Sequence, residues 1–255
     1  MYYDENKLMT TNILGVNVNV INMQCTLEFI EKNLSRIKGK YICVSNVHTT
    51  VMSYENDDYC NIQNEGIMAL PDGKPLSVVS KLKGFKNADR VTGPDLMEEI
   101  FNISYENGYK HYFYGSTEET LEELRKKLLK KYPNLSIVGM YSPPFRSVSI
   151  EEDNEIIKNI NQCNPDFIWV GLGAPKQEIW MNEHKDKVNG LMIGVGAGFD
   201  YHAEKLKRAP IWMQKSSLEW LYRLMQDPAR LLTRYFNTNI KFTMYLFMNL
   251  VKKVY

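Results

Sequence analysis

The residues best suited to chemistry in this chain are Pro71-Asp72-Gly73. An apolar run over 67–70 ends at the proline, and the glycine after the carboxylate permits a tight turn. That pattern predicts an aspartate at the tip of a buried strand. In open α/β sheets ligands sit outside the carboxyl ends of the strands, where such a carboxylate is placed for reaction. An unperturbed aspartate, with a pKa of about 3.9, is ionised at neutral pH and can take a proton from a hydroxyl held within about 3 Å. The ordinary alternative is a turn whose carboxylate bonds its own backbone.

Three further clusters carry polar residues to expected strand ends. Asn46-Val47-His48-Thr49-Thr50 follows a strand expected over 41–45, so Asn46 and Thr49 either face a crevice or Asn46 caps the next helix. Gly171-Leu172-Gly173-Ala174-Pro175-Lys176-Gln177-Glu178 follows a strand over 167–170. Its glycines, Gly173 among them, let the backbone approach a ligand, and Pro175 suits the first position of a helix whose free N–H groups face an anion. Gln177 and Glu178 then fall in the first turn, within reach of a sugar or base; a plain strand-to-helix turn is the alternative. Gly194-Val195-Gly196-Ala197-Gly198-Phe199-Asp200 superficially resembles a dinucleotide fingerprint, but neither a helix directly after the glycines nor an acid about 20 residues on is expected here.

The elements that must position these residues read as an alternation. Val16, Val18 and Val20 alternate with asparagines as in a half-buried strand. Leu27, Ile30, Leu34 and Ile37 form a helical stripe with Thr26 as its N-cap and Gly39 as its stop. A short helix carries Asp57 and Asp58 on a solvated face, residues 81–90 read as a basic loop holding Arg90, and a helix runs over 94–107. Strands over 111–114, 135–140, 167–170 and 191–195 alternate with helices, one opened by a Ser116–Glu119 capping box and one starting at Ser149. Helices of this length between strands imply parallel pairing through right-handed crossovers. The expected class is α/β, a Rossmann-like, mostly parallel sheet flanked by helices, with residues 1–203 as the catalytic core.

Composition sharpens the remainder. Of 255 residues 44% are hydrophobic and 24% charged, ordinary for a globular chain. Cys25, Cys43, Cys60 and Cys163 show no paired spacing and no leader-like apolar run opens the chain, so a reducing, cytoplasmic setting is expected. The net charge of +1 conceals an asymmetry: from Glu204 to Tyr255 ten basic residues face three acids, leaving the first 203 residues at −6. A basic, aromatic tail predicts a polyanionic partner: nucleic acid, a phosphorylated substrate or an anionic membrane. Within this tail, 204–255, Arg223 lies on one helix, while Arg230 and Arg234 share a face of a second that starts after Asp227-Pro228. The uncharged run 242–251 is too short to span a bilayer and reads as interfacial, or as a helix docked on the core. Four scattered histidines and the lack of an Asp-x-Asp motif point to no metal site, and no cofactor is expected.

Taken in order, Asn46, Pro71-Asp72-Gly73, Arg90-Val91-Thr92-Gly93-Pro94-Asp95-Leu96, Gly173 to Glu178, Gly194 to Asp200, Arg208-Ala209-Pro210-Ile211-Trp212-Met213-Gln214 and Leu218-Glu219-Trp220-Leu221-Tyr222-Arg223-Leu224 resemble the WecG/TagA/CpsF family of glycosyltransferases. The resemblance implies an inverting transferase that moves an N-acetylhexosamine, such as N-acetylmannosamine, from a UDP donor to a polyprenyl-diphosphate-linked sugar in cell-surface polysaccharide or teichoic-acid synthesis. It implies that Asp72 is the general base and that Asn46, Arg90 and Gln177 line the site. Arg223, Arg230 and Arg234 would close over the donor diphosphate at the inner face of the cell membrane, from a C-terminal helical appendage. Thr49, Gly173, Glu178, Gly196, Gly198, Asp200 and Arg208 join the expected substrate-binding set through their motifs. Val44 stands where teichoic-acid members carry a threonine, and Glu204 where a glycine is common. Arginines replacing a metal ion suit this mechanism. It takes no nucleic acid as partner, and the apolar tail allows a homo-oligomer. The competing readings are a nucleotide-dependent oxidoreductase, from Gly194 to Gly198, and a non-catalytic membrane or nucleic-acid adaptor, from the tail.

Overall fold

The computed structural model describes residues 3–4, 7–216 and 218–252, leaving aside the side chains of residues 3, 4, 7, 214, 215, 230, 233, 234, 250 and 252. Two short strands, β1 (Tyr3–Asp4) and β2 (Lys7–Leu8), pair antiparallel, and β3 (Thr10–Ile13) and β4 (Val16–Asn19) form a hairpin. The chain continues through α1 (Met23–Ile37), β5 (Tyr41–Ser45), α2 (Val47–Glu55), α3 (Asp57–Glu65), β6 (Met68–Pro71) and α4 (Lys74–Leu82). Then come α5 (Gly93–Asn107), β7 (Lys110–Gly115), α6 (Glu118–Lys131), β8 (Ser136–Tyr141), α7 (Ile150–Gln162), β9 (Phe167–Gly171), α8 (Lys176–Glu183) and β10 (Leu191–Gly194). The last elements are α9 (Gly198–His202), α10 (Ile211–Lys215), α11 (Glu219–Gln226) and α12 (Pro228–Lys252).

Among the described residues, six strands form one parallel sheet in the order β6-β5-β10-β9-β7-β8. The central strands are continuous apolar runs because helices cover both faces, and β5, β9 and β10 are buried almost throughout. One face packs Ile42, Leu70, Phe113 and Trp169 against Ile30, Leu34, Leu96 and Phe101; the other packs Tyr41, Tyr114 and Val170 against Trp180, Met181 and Ile160. In this order the carboxyl ends of β6, β5, β10 and β9 open side by side. That is the crevice position where open α/β sheets hold ligands.

Several local expectations shift. The strand read at Val16 and Val18 lies outside the parallel sheet, in the β3–β4 hairpin, because Leu14 (φ 50°) and Gly15 (φ 93°) make the left-handed two-residue turn that joins antiparallel strands. Asn22, not Thr26, caps α1, accepting from Cys25 N at 2.9 Å, while buried Thr26 donates its hydroxyl back to Asn22 O. Thr117, not Ser116, caps α6, since Ser116 is held at φ 61°. Ser149 does make the capping box, with Glu152. Residues 74–82, given no helix from the sequence, form α4 behind Gly73, and a one-turn α9 follows Gly198 where no helix was expected.

The run 242–251, expected at an interface, is docked along one side. Phe242 is buried in the hairpin cluster, the rings of Tyr245 and Tyr54 lie 4.4 Å apart, and Glu55 accepts from Lys241 and Tyr245, each at 2.7 Å. The opposite side of α12 exposes Leu232, Phe236, Ile240, Met244, Phe247, Met248 and Val251, an apolar stripe at helical spacing. Among the described residues no helix is long and apolar enough to cross a membrane.

Candidate functional site

A cavity of about 1000 Å³ lies at the carboxyl ends of β5, β6, β9 and β10. Its lining brings together Asn46, Thr49, Asp72, Arg90, Gly173, Gln177, Gly196, Gly198 and Arg223 from the sequence-derived set. Tyr201, Glu219 and Trp220 join them, and Leu232, Tyr235, Phe236 and Ile240 of α12 form one wall. Val44 also lines it.

Asp72 is fixed by its backbone: its N–H donates to Ser45 O at 2.7 Å, and Gly73 turns away at φ 91°. The half-buried carboxylate faces Arg90 and Arg223 as well as Glu219 and Asp95. Burial pushes its pKa up to about 6, against the pull of Arg90 and Arg223. A carboxylate so placed takes up a proton more readily than the ordinary aspartate the sequence suggested.

Behind it lies an alternating charge cluster. Arg90 pairs with Glu219 of α11, and its other nitrogen lies 3.6 Å from Asp95. Arg208 bonds Asp95 at 2.8 Å and approaches Glu219 at 3.3 Å. Burial, the largest influence, pushes Asp95 up, but Arg208, Thr92 and Arg90 together hold it below the usual carboxylate value. Arg208 and Arg223 both lie over the ring of Tyr201, at 5.4 and 5.6 Å. Arg208, expected to bind substrate, is instead a tether between the core and α11, outside the lining.

Asn46 is both cap and wall. Its Oδ1 accepts from His48 N and Thr49 N, and Thr49 Oγ1 accepts from Asn46 N at 2.9 Å, a complete capping box. With Oδ1 spent on the helix, Asn46 has its amide N–H groups to offer a ligand. Buried Thr49 works chiefly as the second half of the cap.

The glycines divide by role. Gly173 holds φ 77° in open space and donates its N–H to Gln177 Oε1 at 3.2 Å. A Cβ at Gly194 would lie 2.8 Å from Met181 and 3.0 Å from Gln177 Nε2; one at Gly198 would lie 2.8 Å from Met97 Sδ. The apparent fingerprint thus makes room for side chains of its own core, which removes the support for a dinucleotide oxidoreductase. Gly196 sits beside Gln177 Oε1 at φ 53°.

Glu178 and Asp200 are not brought to the cavity. Glu178 is completely buried, bonded by Tyr59 and Gln177; burial pushes its pKa up, opposed by those bonds and its own backbone N–H. The Asp200 carbonyl accepts from Lys205 N and Leu206 N, shaping the turn out of α9. Arg230 and Arg234 belong to α12, but their side chains fall outside the described residues. Glu204 pairs with Lys127 and holds φ 58°, in the left-handed region that favours glycine. Sequence reasoning gave Glu219 and Tyr201 no role, although Glu219 stands in the Leu218 to Leu224 motif and between Lys215 and Arg223 in a basic tail.

The family model described as "Glycosyl transferase WecG/TagA/CpsF family" matches residues 11–254. A relative from Bacillus subtilis (strain 168), named N-acetylglucosaminyldiphosphoundecaprenol N-acetyl-beta-D-mannosaminyltransferase, is 28% identical over 221 residues, 86% of this chain and 83% of its own. A relative of the same name from Staphylococcus aureus (strain MW2) is 28% identical over 223 residues, 86% of each chain.

Proposed function

Because the chain belongs to the WecG/TagA/CpsF family of glycosyltransferases, we propose that it transfers an N-acetylhexosamine from a UDP donor to a polyprenyl-diphosphate-linked sugar, with inversion. Asp72 takes the proton of the acceptor hydroxyl as its oxygen bonds the donor's anomeric carbon. The bond from that carbon to the diphosphate breaks on the opposite face, and UDP leaves with the electron pair. The observation that carries this reading is the half-buried Asp72 facing two guanidinium groups across one cavity. A base and a seat for a leaving anion are the two things the reaction needs.

Arg90 and Arg223 are the groups we assign to the diphosphate, with Arg230 and Arg234 as further members. Charge supplied in this way makes the reaction metal-independent. Asn46 and Gln177 offer hydrogen bonds to the donor, and Gly173 and Gly196 let it approach the backbone. The relatives' named activity supports N-acetylmannosamine as donor sugar and an N-acetylglucosaminyl-diphosphopolyprenol as acceptor. We assign residues 204–255 to an appendage whose apolar stripe on α12 lies on the anionic inner face of the cell membrane, beside the mouth of the cavity.

A panel of UDP-sugars with a lipid-linked N-acetylglucosamine acceptor, run with magnesium and with EDTA, tests the proposal. Product formed equally in both, with the anomeric configuration reversed by NMR, is the expected result. Retained configuration, or turnover only with magnesium, would refute the mechanism.

A further inference from the structure

Behind the cavity wall runs a buried hydrogen-bond chain that the mechanism above does not use. Ser45 Oγ donates to Gln63 Oε1 at 2.6 Å, and Gln63 Nε2 donates to the Tyr59 hydroxyl at 3.0 Å. Tyr59 donates to Glu178 Oε2 at 3.0 Å, and Gln177 Nε2 donates to Glu178 Oε1 at 2.7 Å. The chain ends where Gly173 N–H donates to Gln177 Oε1. Ser45, Tyr59, Gln63, Gln177 and Glu178 are all buried, and Gln177 also lines the cavity.

The direction of every bond around Gln177 is determined by its two ends. A backbone N–H can only donate, so the Gly173 N–H takes the amide oxygen and leaves the amide nitrogen to donate to Glu178 Oε1. Gln177 must therefore point its oxygen at Gly173 and its nitrogen at Glu178. Gly194 leaves the space in which that amide lies, and Gly196 borders it. Burying a carboxylate costs several kcal/mol, so a buried one held only by neutral donors calls for a use.

Resting on the proposed transfer, we infer that Glu178 is a positioning residue: it locks the amide of Gln177 so that one fixed N–H and one fixed lone pair face the sugar nucleotide. Only a carboxylate can do this, because it accepts from Tyr59 and from Gln177 at once. A glutamine at 178 has one acceptor and one donor. It must leave one hydroxyl proton without its present acceptor, on Tyr59 or, if Gln63 turns over, on Ser45, or force Gln177 to turn over and present the reversed pattern to the donor. Glu178 touches no substrate and acts through its neighbour.

The test is a double-mutant cycle of Glu178→Gln and Gln177→Ala, with Tyr59→Phe as control, read as donor kcat/KM and melting temperature. Glu178→Gln is expected to lower kcat/KM about ten- to hundredfold, the effect of a misdirected buried hydrogen-bonding group, without lowering the melting temperature, because removing the buried charge offsets the unmatched hydrogen bond. The double variant falls no further than Gln177→Ala alone, because the two residues act as one. Tyr59→Phe spares the rate, since Glu178 keeps both oxygens for Gln177. Additive losses, or equal losses in Tyr59→Phe and Glu178→Gln, would overturn the inference. The Gln177 side-chain amide, followed by hydrogen exchange in NMR, gives a readout that needs no turnover. Its protons exchange slowly in the wild type and faster in Glu178→Gln; equal exchange would overturn the inference. Failure of the wild type to use any UDP-sugar would instead remove the proposed function and leave this readout standing.

Discussion

Replacing Asp72 with asparagine separates a poised base from a salt-bridged anchor. In the folded chain burial holds the carboxyl at about 6, against an ordinary value of 3.8. The folded state therefore binds this proton more tightly than the unfolded state. Its carboxylate opposes folding above both values, and that opposition vanishes below about 3.8. Two pH units at about 1.4 kcal/mol each set an upper limit of about 3 kcal/mol at pH 7 and above, and water at the half-open site reduces it. The same linkage leaves only about 1 kcal/mol at pH 4.5. Asp72→Asn should thus unfold at higher urea than the wild type at pH 8, with the gap shrinking by about two thirds at pH 4.5. The pH dependence isolates the charge, because any change in packing or hydrogen bonding applies at both values. Transfer should be lost while calorimetry shows UDP affinity retained or tightened, and wild-type kcat/KM should rise through about pH 6 to a plateau. A wild type more stable than Asp72→Asn at pH 8 would mean that Arg90 and Arg223 hold the carboxylate as an ion pair. A gap independent of pH would mean that burial does not set its basicity. Either result defeats the argument for Asp72 as base.

Two other substitutions probe the walls. Gly194→Ala puts a methyl group 2.8 Å from Met181 and 3.0 Å from Gln177 Nε2, so it should cost about 1–3 kcal/mol by urea unfolding and lower kcat/KM by displacing Gln177. Phe236→Ser with Phe247→Ser removes two exposed rings from α12, at 67% and 68% exposure, and should leave unfolding unchanged within about 0.5 kcal/mol. Flotation with vesicles containing anionic lipid should show weaker binding, and turnover on the lipid-linked acceptor should fall with it. Unchanged flotation would remove α12 from the membrane contact.

What the sequence made legible was set by local chemistry. The turn at Asp72 was legible because a proline, a carboxylate and a glycine close an apolar run, although the same tripeptide also makes an ordinary turn and only the fold sets it at the cavity. The parallel alternation was legible because strands buried on both faces are unbroken apolar runs. Glu178 was misplaced because the first turn of a helix has an inner and an outer side, and only the tertiary positions of Tyr59 and α3 decide which one a residue takes. Gly194 and Gly198 imitated a phosphate loop because a glycine that admits Gln177 or Met97 is indistinguishable in sequence from one that admits a ligand. Glu219 was overlooked for a related reason. A single acid in a basic tail acquires meaning only when folding sets it against Arg90, 129 positions away.

That last contact bears on how the base is tuned. Arg90 is shared between Glu219 and Asp95, so part of its charge is already compensated before any substrate arrives. Were Arg90 free of those acids, its pull would draw Asp72 back toward an ordinary, weaker carboxylate. Glu219 and Asp95 push the other way, and their sum with burial leaves the carboxyl near 6. On the proposed reading a bound diphosphate adds negative charge beside the same two arginines, which raises the basicity of Asp72 further as the donor takes its place. On that reading the base strengthens when a sugar is present to receive the acceptor oxygen, and Arg90 and Arg223, which restrain it beforehand, are the groups that then steady the departing nucleotide.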